Sequence, residues 1–294
     1  MKFLLIVFLL LAAAMFWQHT RYLHARRDFV RDRQRLFYDT RAFHALTFVR
    51  VAPGFELLEE LRGLRLATQE AEGIDWVYAG KVVMNGNVSQ QLGPVDWSAV
   101  ILLQYPTRSA YESMAASEPW RAALARFAES YTQGFERPAL PNLLLPQALL
   151  LRRWARVLRR EPSNFPFARM PGIEERPEVQ TRIGELLGES DLGAHAIAIV
   201  NLQKVGTPEQ RAADARYTGR MLSAMAEGGY GPMHLGRAIR VERDLDFDRV
   251  AIVYYPGVEF FADLVRSTFF QKIIGDKQLG DTQASITVPI LDRL

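Results

Sequence analysis

The chain has 294 residues, 49% hydrophobic and 23% charged, which is the composition of a folded protein long enough for two domains. Collagen-like and wholly disordered readings are excluded, and the lack of cysteine removes disulfides, thiolate catalysis and cysteine-bound metal centres together. The net charge of +3 is unevenly placed: residues 1–41 hold eight Lys/Arg against three Asp/Glu, residues 146–160 hold five Arg and no acid, and the rest sums to −7.

Phe3 to Trp17 is an unbroken apolar run of fifteen residues. It predicts a retained transmembrane anchor over residues 1–22, although crossing takes about 20 residues, so the helix has to continue through Thr20 to Tyr22 or thin the bilayer. The rival reading is a cleaved signal peptide. It fits less well, because Ala12-Ala13-Ala14 is followed by the bulky Met15, Phe16 and Trp17. Lys2 faces Arg21, Arg26, Arg27, Arg31, Arg33 and Arg35 across the run, which favours a single-pass protein with a cytoplasmic body over a periplasmic or extracellular one. Residues 23–42 read as a solvated basic stalk.

The remainder is a repeat. Asp96-Trp-Ser-Ala-Val-Ile-Leu-Leu-Gln-Tyr-Pro106 aligns with Asp246-Phe-Asp-Arg-Val-Ala-Ile-Val-Tyr-Tyr-Pro256 at an offset of 150, and Tyr111, Met114, Ser117 and Trp120 fall on Phe261, Leu264, Ser267 and Phe270. Phe43 to Val49 matches Ala194 to Val200 at 151, pairing His44 with His195, and Gly80-Lys81 matches Gly236-Arg237 at 156. Each copy reads as strand, helix, strand, strand, helix, strand. In the first, residues 43–145, the expected elements are strands at Phe43–Val51, Trp76–Asn85 and Ala99–Tyr105, a helix over Glu56–Glu72, a capping box at Ser109–Glu112 and a last strand near Arg137–Leu143. Residues 146–193 form a connector: a basic amphipathic helix, with Arg152, Arg156, Arg159 and Arg160 on one side and Leu151, Trp154, Ala155 and Leu158 on another, then a proline-rich linker. In the second copy, residues 194–294, Thr207-Pro-Glu-Gln210 opens a helix with a capping box, Gly228 to Pro232 breaks it, and Val250–Tyr255 is an apolar run suited to a strand buried on both faces.

A βαββαβ order is the ferredoxin-like pattern, four antiparallel strands with two helices on one face. The Tyr-Pro strand end, the aromatic helix after it and the preceding Gly236-Arg237 resemble the dimeric α/β-barrel superfamily, and within it the uncharacterised domain family numbered 1330. The likeness covers residues 194–290 well and 43–143 more loosely. It implies an α+β fold in which two ferredoxin-like modules, fused in tandem, close an internal pseudodimeric barrel behind the N-terminal transmembrane helix. Because the superfamily includes haem-degrading and quinol-forming monooxygenases, lactone isomerases and dye-decolourising peroxidases, it leaves the chemistry open.

The residues that could line a ligand pocket are His44 and His195 on the first strands, Lys81 and Arg237 after the repeated glycines, and Tyr105 and Tyr255 at the third-strand ends. Strand-end capping by the histidines, solvation of the cations and core packing of the tyrosines are the structural alternatives. His234 reads as a turn or edge residue. Arg152, Trp154, Arg156 and Arg159 form a candidate membrane contact. No GxGxxG, P-loop, GxSxG, HExxH or metal-ligand spacing occurs, so neither cofactor nor metal is expected, and the third strands lack the exposed aromatics of an RNA-binding sheet, which excludes nucleic acid as a partner. The expectation is a membrane-anchored tandem barrel that binds a small molecule or membrane partner, lipid included. A cofactor-poor monooxygenase or isomerase acting on a small, largely apolar substrate in the lumen is the alternative, and the sequence does not settle whether the protein is an enzyme.

Overall fold

The computed structural model describes residues 2–24, 42–69, 71–172 and 196–294. Eight antiparallel strands close a barrel in the order β1-β3-β2-β8-β5-β7-β6-β4. They are β1 (Phe43–Val51), β2 (Asp75–Asn87), β3 (Ala99–Tyr105), β4 (Phe127–Glu136), β5 (Ile197–Lys204), β6 (Gly231–Ile239), β7 (Arg249–Tyr255) and β8 (Asp281–Pro289). Each half keeps the ferredoxin-like order, β4-β1-β3-β2 and β8-β5-β7-β6, and the halves join at two seams, β2 with β8 and β4 with β6. The fold is therefore α+β with a closed eight-stranded barrel built from the two repeats.

Closure explains the continuous apolar strands. Along β1, Leu46 and Phe48 point into the lumen, while Phe43, Ala45 and Val49 point outward into the layer under the helices. Both faces are dry, so no polar alternation is left in the sequence. The lumen is a packed core over most of its length, filled by Leu46, Phe48, Tyr78, Trp97, Tyr131 and their neighbours. The repeated glycines make this packing possible: a Cβ on Gly80 would stand 2.8 Å from Thr287 Cβ and run into the Tyr78 ring, and one on Gly236 would strike Phe135 and the Glu136 carbonyl.

The helices of the first half are α2 (Leu57–Leu66), α3 (Arg108–Ala116) and α4 (Glu118–Leu124). Those of the second are α6 (Pro208–Gly228), α7 (Val258–Val265) and α8 (Thr268–Ile273), and α5 (Ala139–Arg159) lies between the halves. Helix α6 starts on the expected capping box, Thr207 with Gln210, and ends on Gly229 with φ +71°. In both halves the second helix breaks at an aligned serine, Ser117 and Ser267.

Four expectations are corrected. The last strand of the first half is Phe127–Glu136 rather than 137–143, since Pro138 and Pro141 cannot donate to a ladder and instead lead into α5. Helix α3 is capped by Thr107, which accepts from Ala110 N at 3.1 Å, two residues before the expected Ser109. The basic connector helix begins at Ala139, not 146. Finally, among the described residues no helix is long and apolar enough to cross a membrane. The apolar run of α1 (Lys2–His24) ends at Trp17, short of the about 20 residues a span takes, so the single-pass anchor has no support. Helix α1 lies against α5, with Gln147 Nε2 donating to Met15 O at 3.0 Å.

Candidate functional site

The ladder registers decide which residues correspond in the two halves. Phe43 pairs with Tyr105 and Ile197 with Tyr255. Since Tyr105 and Tyr255 are the repeat partners, Phe43 corresponds to Ile197, and His44 to Ala198. The expected pairing of His44 with His195 is therefore wrong by three residues, and His195 itself lies outside the described residues. The shared His-Ala string lies three residues out of the structural register.

His44 points into the lumen and is 2% exposed. Its ladder neighbours are Gln104 on β3 and Phe135 on β4, and its ring stacks on Phe135 at 5.1 Å between centroids. His234, fully buried in β6, and Arg137, 6% exposed just beyond β4, complete the cluster. The Arg137 Nη2 donates to Met233 O at 3.4 Å. His234 is thus a lumen residue, not the turn or edge residue expected. A sequence signal existed, because His234 sits two positions before Gly236 and corresponds to Tyr78 before Gly80, whose side chain also points inward.

The electrostatics favour neutral imidazoles. Burial first, then the Arg137 guanidinium, lowers the His44 pKa to about 3, although the nearby Gln104 side chain favours the charged form. His234 is held well below its ordinary value by burial, then by Arg137 and His44. Neither ring nitrogen of His44 makes a hydrogen bond of ordinary geometry. A buried, uncharged imidazole with only the nearby Gln104 side chain acting on it, beside a buried cation, suits a bound molecule that gives up a proton and becomes an anion.

The other expected site residues do not join it. Lys81 is exposed on the outer face of β2. Arg237 is exposed and pairs with Glu136 at 3.0 Å. Tyr105 and Tyr255 are buried on the outer face of the sheet, where Tyr105 meets Tyr111 edge-on at 5.4 Å and Tyr255 meets Tyr230 at 5.3 Å. Burial raises both phenol pKa values, so neither is an acid or base near neutrality. On α5, Arg152 donates to Gly219 O and Ser223 Oγ, and Arg156 is bound to Glu227, whereas Trp154 and Arg159 are exposed. Among the described residues no three His, Asp or Glu side chains stand together as a metal cluster.

No family model matches the chain, so the narrower likeness to family 1330 has no support beyond the quoted residues. No curated protein matches it either. Solved structures do share similarity with it. An anthrone oxidase-like protein is 11% identical over 86% of this chain and 92% of its own, with a TM-score of 0.46. A mutant chlorite dismutase from Candidatus Nitrospira defluvii is 12% identical over 88% and 95%, with a TM-score of 0.47. A candidate monooxygenase from Lactobacillus acidophilus is 10% identical over 84% and 93%, with a TM-score of 0.41.

Proposed function

We propose that the protein is a cofactor-poor enzyme that takes a small, largely apolar substrate at the polar end of the barrel and moves a proton on it. The observation carrying this reading is His44, an imidazole kept neutral by burial, with no hydrogen bond of ordinary geometry at either nitrogen and the Arg137 guanidinium nearby. His44 accepts the proton only as the enolate or phenolate forms beside it, because that negative charge offsets the burial that keeps the free imidazole neutral; Arg137 stabilises the same anion, and Phe135 supplies an apolar wall. Returning the proton to another atom is an isomerisation. The same anion is the electron-rich form that a cofactor-free monooxygenase offers to dioxygen. The substrate has to be small, since buried side chains pack the lumen around His44.

Proton exchange tests the reading without the natural substrate. A panel of 1,3-dicarbonyls and phenols is incubated with the protein in D2O and carbon-bound deuterium is followed by NMR. Loss of a general base is expected to slow exchange about 10²–10⁴-fold in His44→Gln, while Arg237→Ala retains it. Equal exchange by His44→Gln and the unaltered protein would discard His44 as the base.

A second reading concerns location. Leu151, Trp154, Val157 and Leu158 on α5 are exposed, Leu158 by 83%, and α1 beside them exposes Phe3 through Leu11. Contiguous apolar surface of this kind is an interaction site, and the exposed Arg159 and Arg160 suit an anionic lipid surface lying against α5 rather than crossed by it. Flotation with anionic vesicles checks this: Leu158→Asp should reduce binding and added salt should weaken it.

A further inference from the structure

A cleft of about 630 Å³ opens on the helix side of the second half, where α5 and the turn after β5 approach α6. Its volume falls within the range of small-molecule sites. Three arginines line it, Arg152 from α5, Arg211 from the first turn of α6 and Arg249 from the start of β7, against one acid, Asp214. Asp214 is buried and holds Arg249 Nη2 at 2.7 Å, while the Arg249 Nε is buried without a hydrogen bond. Arg152 is fixed by Gly219 O at 2.9 Å and Ser223 Oγ at 3.1 Å. Arg211 has no salt bridge among the described residues; its exposed neighbour Glu209 acts on it only through space. The site therefore carries a surplus of two positive charges, on guanidinium groups of which two are already positioned by the fold.

Gly219 is the second observation. It stands inside a 21-residue helix, where glycine costs helix stability relative to alanine, yet a Cβ there would meet nothing within 4 Å. Packing does not require a glycine at this point. It lies on the wall of the cleft, so a larger residue there is expected to crowd the space.

We infer that this cleft binds a phosphate group borne by a small molecule or a lipid headgroup. Planar guanidinium forks match phosphate oxygens in pairs, and a phosphate dianion neutralises the surplus that a single carboxylate would leave half satisfied. The site is separate from the lumen and does not depend on the reading of His44.

Calorimetric titration of the full chain with inorganic pyrophosphate and with glycerol 3-phosphate is the first arm, and flotation with phosphatidylglycerol against phosphatidylcholine vesicles is the second. Saturable binding of either soluble probe identifies a soluble phosphate. Preference for phosphatidylglycerol without soluble binding identifies a headgroup in the cleft when it persists in Leu158→Asp and is lost in Arg211→Ala. In either case Arg211→Ala should weaken binding at least tenfold, and Gly219→Leu should abolish it while leaving the melting temperature equal or higher. The inference is overturned if neither the soluble probes nor phosphatidylglycerol vesicles bind, or if the binding seen is unchanged in Arg211→Ala, a surface variant that does not depend on Gly219→Leu folding.

Discussion

The two seams of the barrel occupy equivalent places in the repeat and are built differently. Between β2 and β8 six residue pairs run from Gly80 with Pro289 to Asn87 with Ala284. Inside that seam the Tyr78 hydroxyl and Thr287 Oγ1 lie 2.7 Å apart, and Thr287 also donates to Ala198 O. Between β4 and β6 only Gly134, Phe135 and Glu136 pair, with Ile239, Ala238 and Arg237. There the positions of Tyr78, Thr287 and Ala198 are taken by His234, Phe135 and His44. One seam is closed with hydroxyl hydrogen bonds; the other holds the His44 ring, whose nitrogens make no hydrogen bond of ordinary geometry. Duplication permits this division, because one copy can keep the barrel shut while the other departs from the pattern.

The difference can be broken at several levels. The largest expected effect is at Phe135, which is fully buried and supports the His44 ring. Phe135→Ala should cost about 3–5 kcal/mol in chemical denaturation, enough to threaten folding near body temperature. Next comes acid. An unfolded His44 binds a proton below pH 6.5, whereas the folded one resists until about pH 3, so its contribution is complete above pH 6.5 and is lost as pH falls. Stability should decline by about 1.4 kcal/mol per pH unit from this group alone between roughly pH 6 and 4, with His234 adding in the same direction. Denaturation at stepped pH should show a shallower decline for His44→Gln; parallel curves would sink the assignment.

At the closed seam, Thr287→Val removes the hydroxyl that meets Tyr78 and donates to Ala198 O and should cost about 1–3 kcal/mol, with no change in the acid slope. The smallest effect is expected at Arg237→Ala. Its ion pair with Glu136 spans the short seam but is mostly exposed, so a loss of under about 0.5 kcal/mol is expected. A larger loss would mean that the short seam depends on charge rather than on Phe135.

The barrel was legible because its elements carry local signals: the capping box at Thr207, the break at Gly229, the apolar runs of β3 and β7, and the 150-residue repeat. The candidate site was legible only at His44. Arg137 reads as a strand residue in sequence, whereas the strand ends at Glu136 and Pro138 leads into α5. His234 reads as a turn residue beside Gly231-Pro232, and only the period of two counted back from Gly236 turns it inward. Tyr105 and Tyr255 group with His44 because sequence shows that residues alternate faces along a strand but not which face is the lumen. That parity is fixed only when the ladders of β1 with β3 and β5 with β7 are known. The N-terminal run misled for another reason, since hydrophobicity over fifteen residues does not distinguish a span from a helix lying against α5.

Both seams join segments of a single polypeptide. A barrel assembled from two separate chains comes apart on dilution, with an apparent stability that depends on protein concentration. Here the second half is tethered to the first by the stretch after α5, so its effective concentration at the seams does not fall as the solution is diluted. A short, imperfect seam between β4 and β6, which would be a weak point in a two-chain assembly, is tolerated because the partner never leaves.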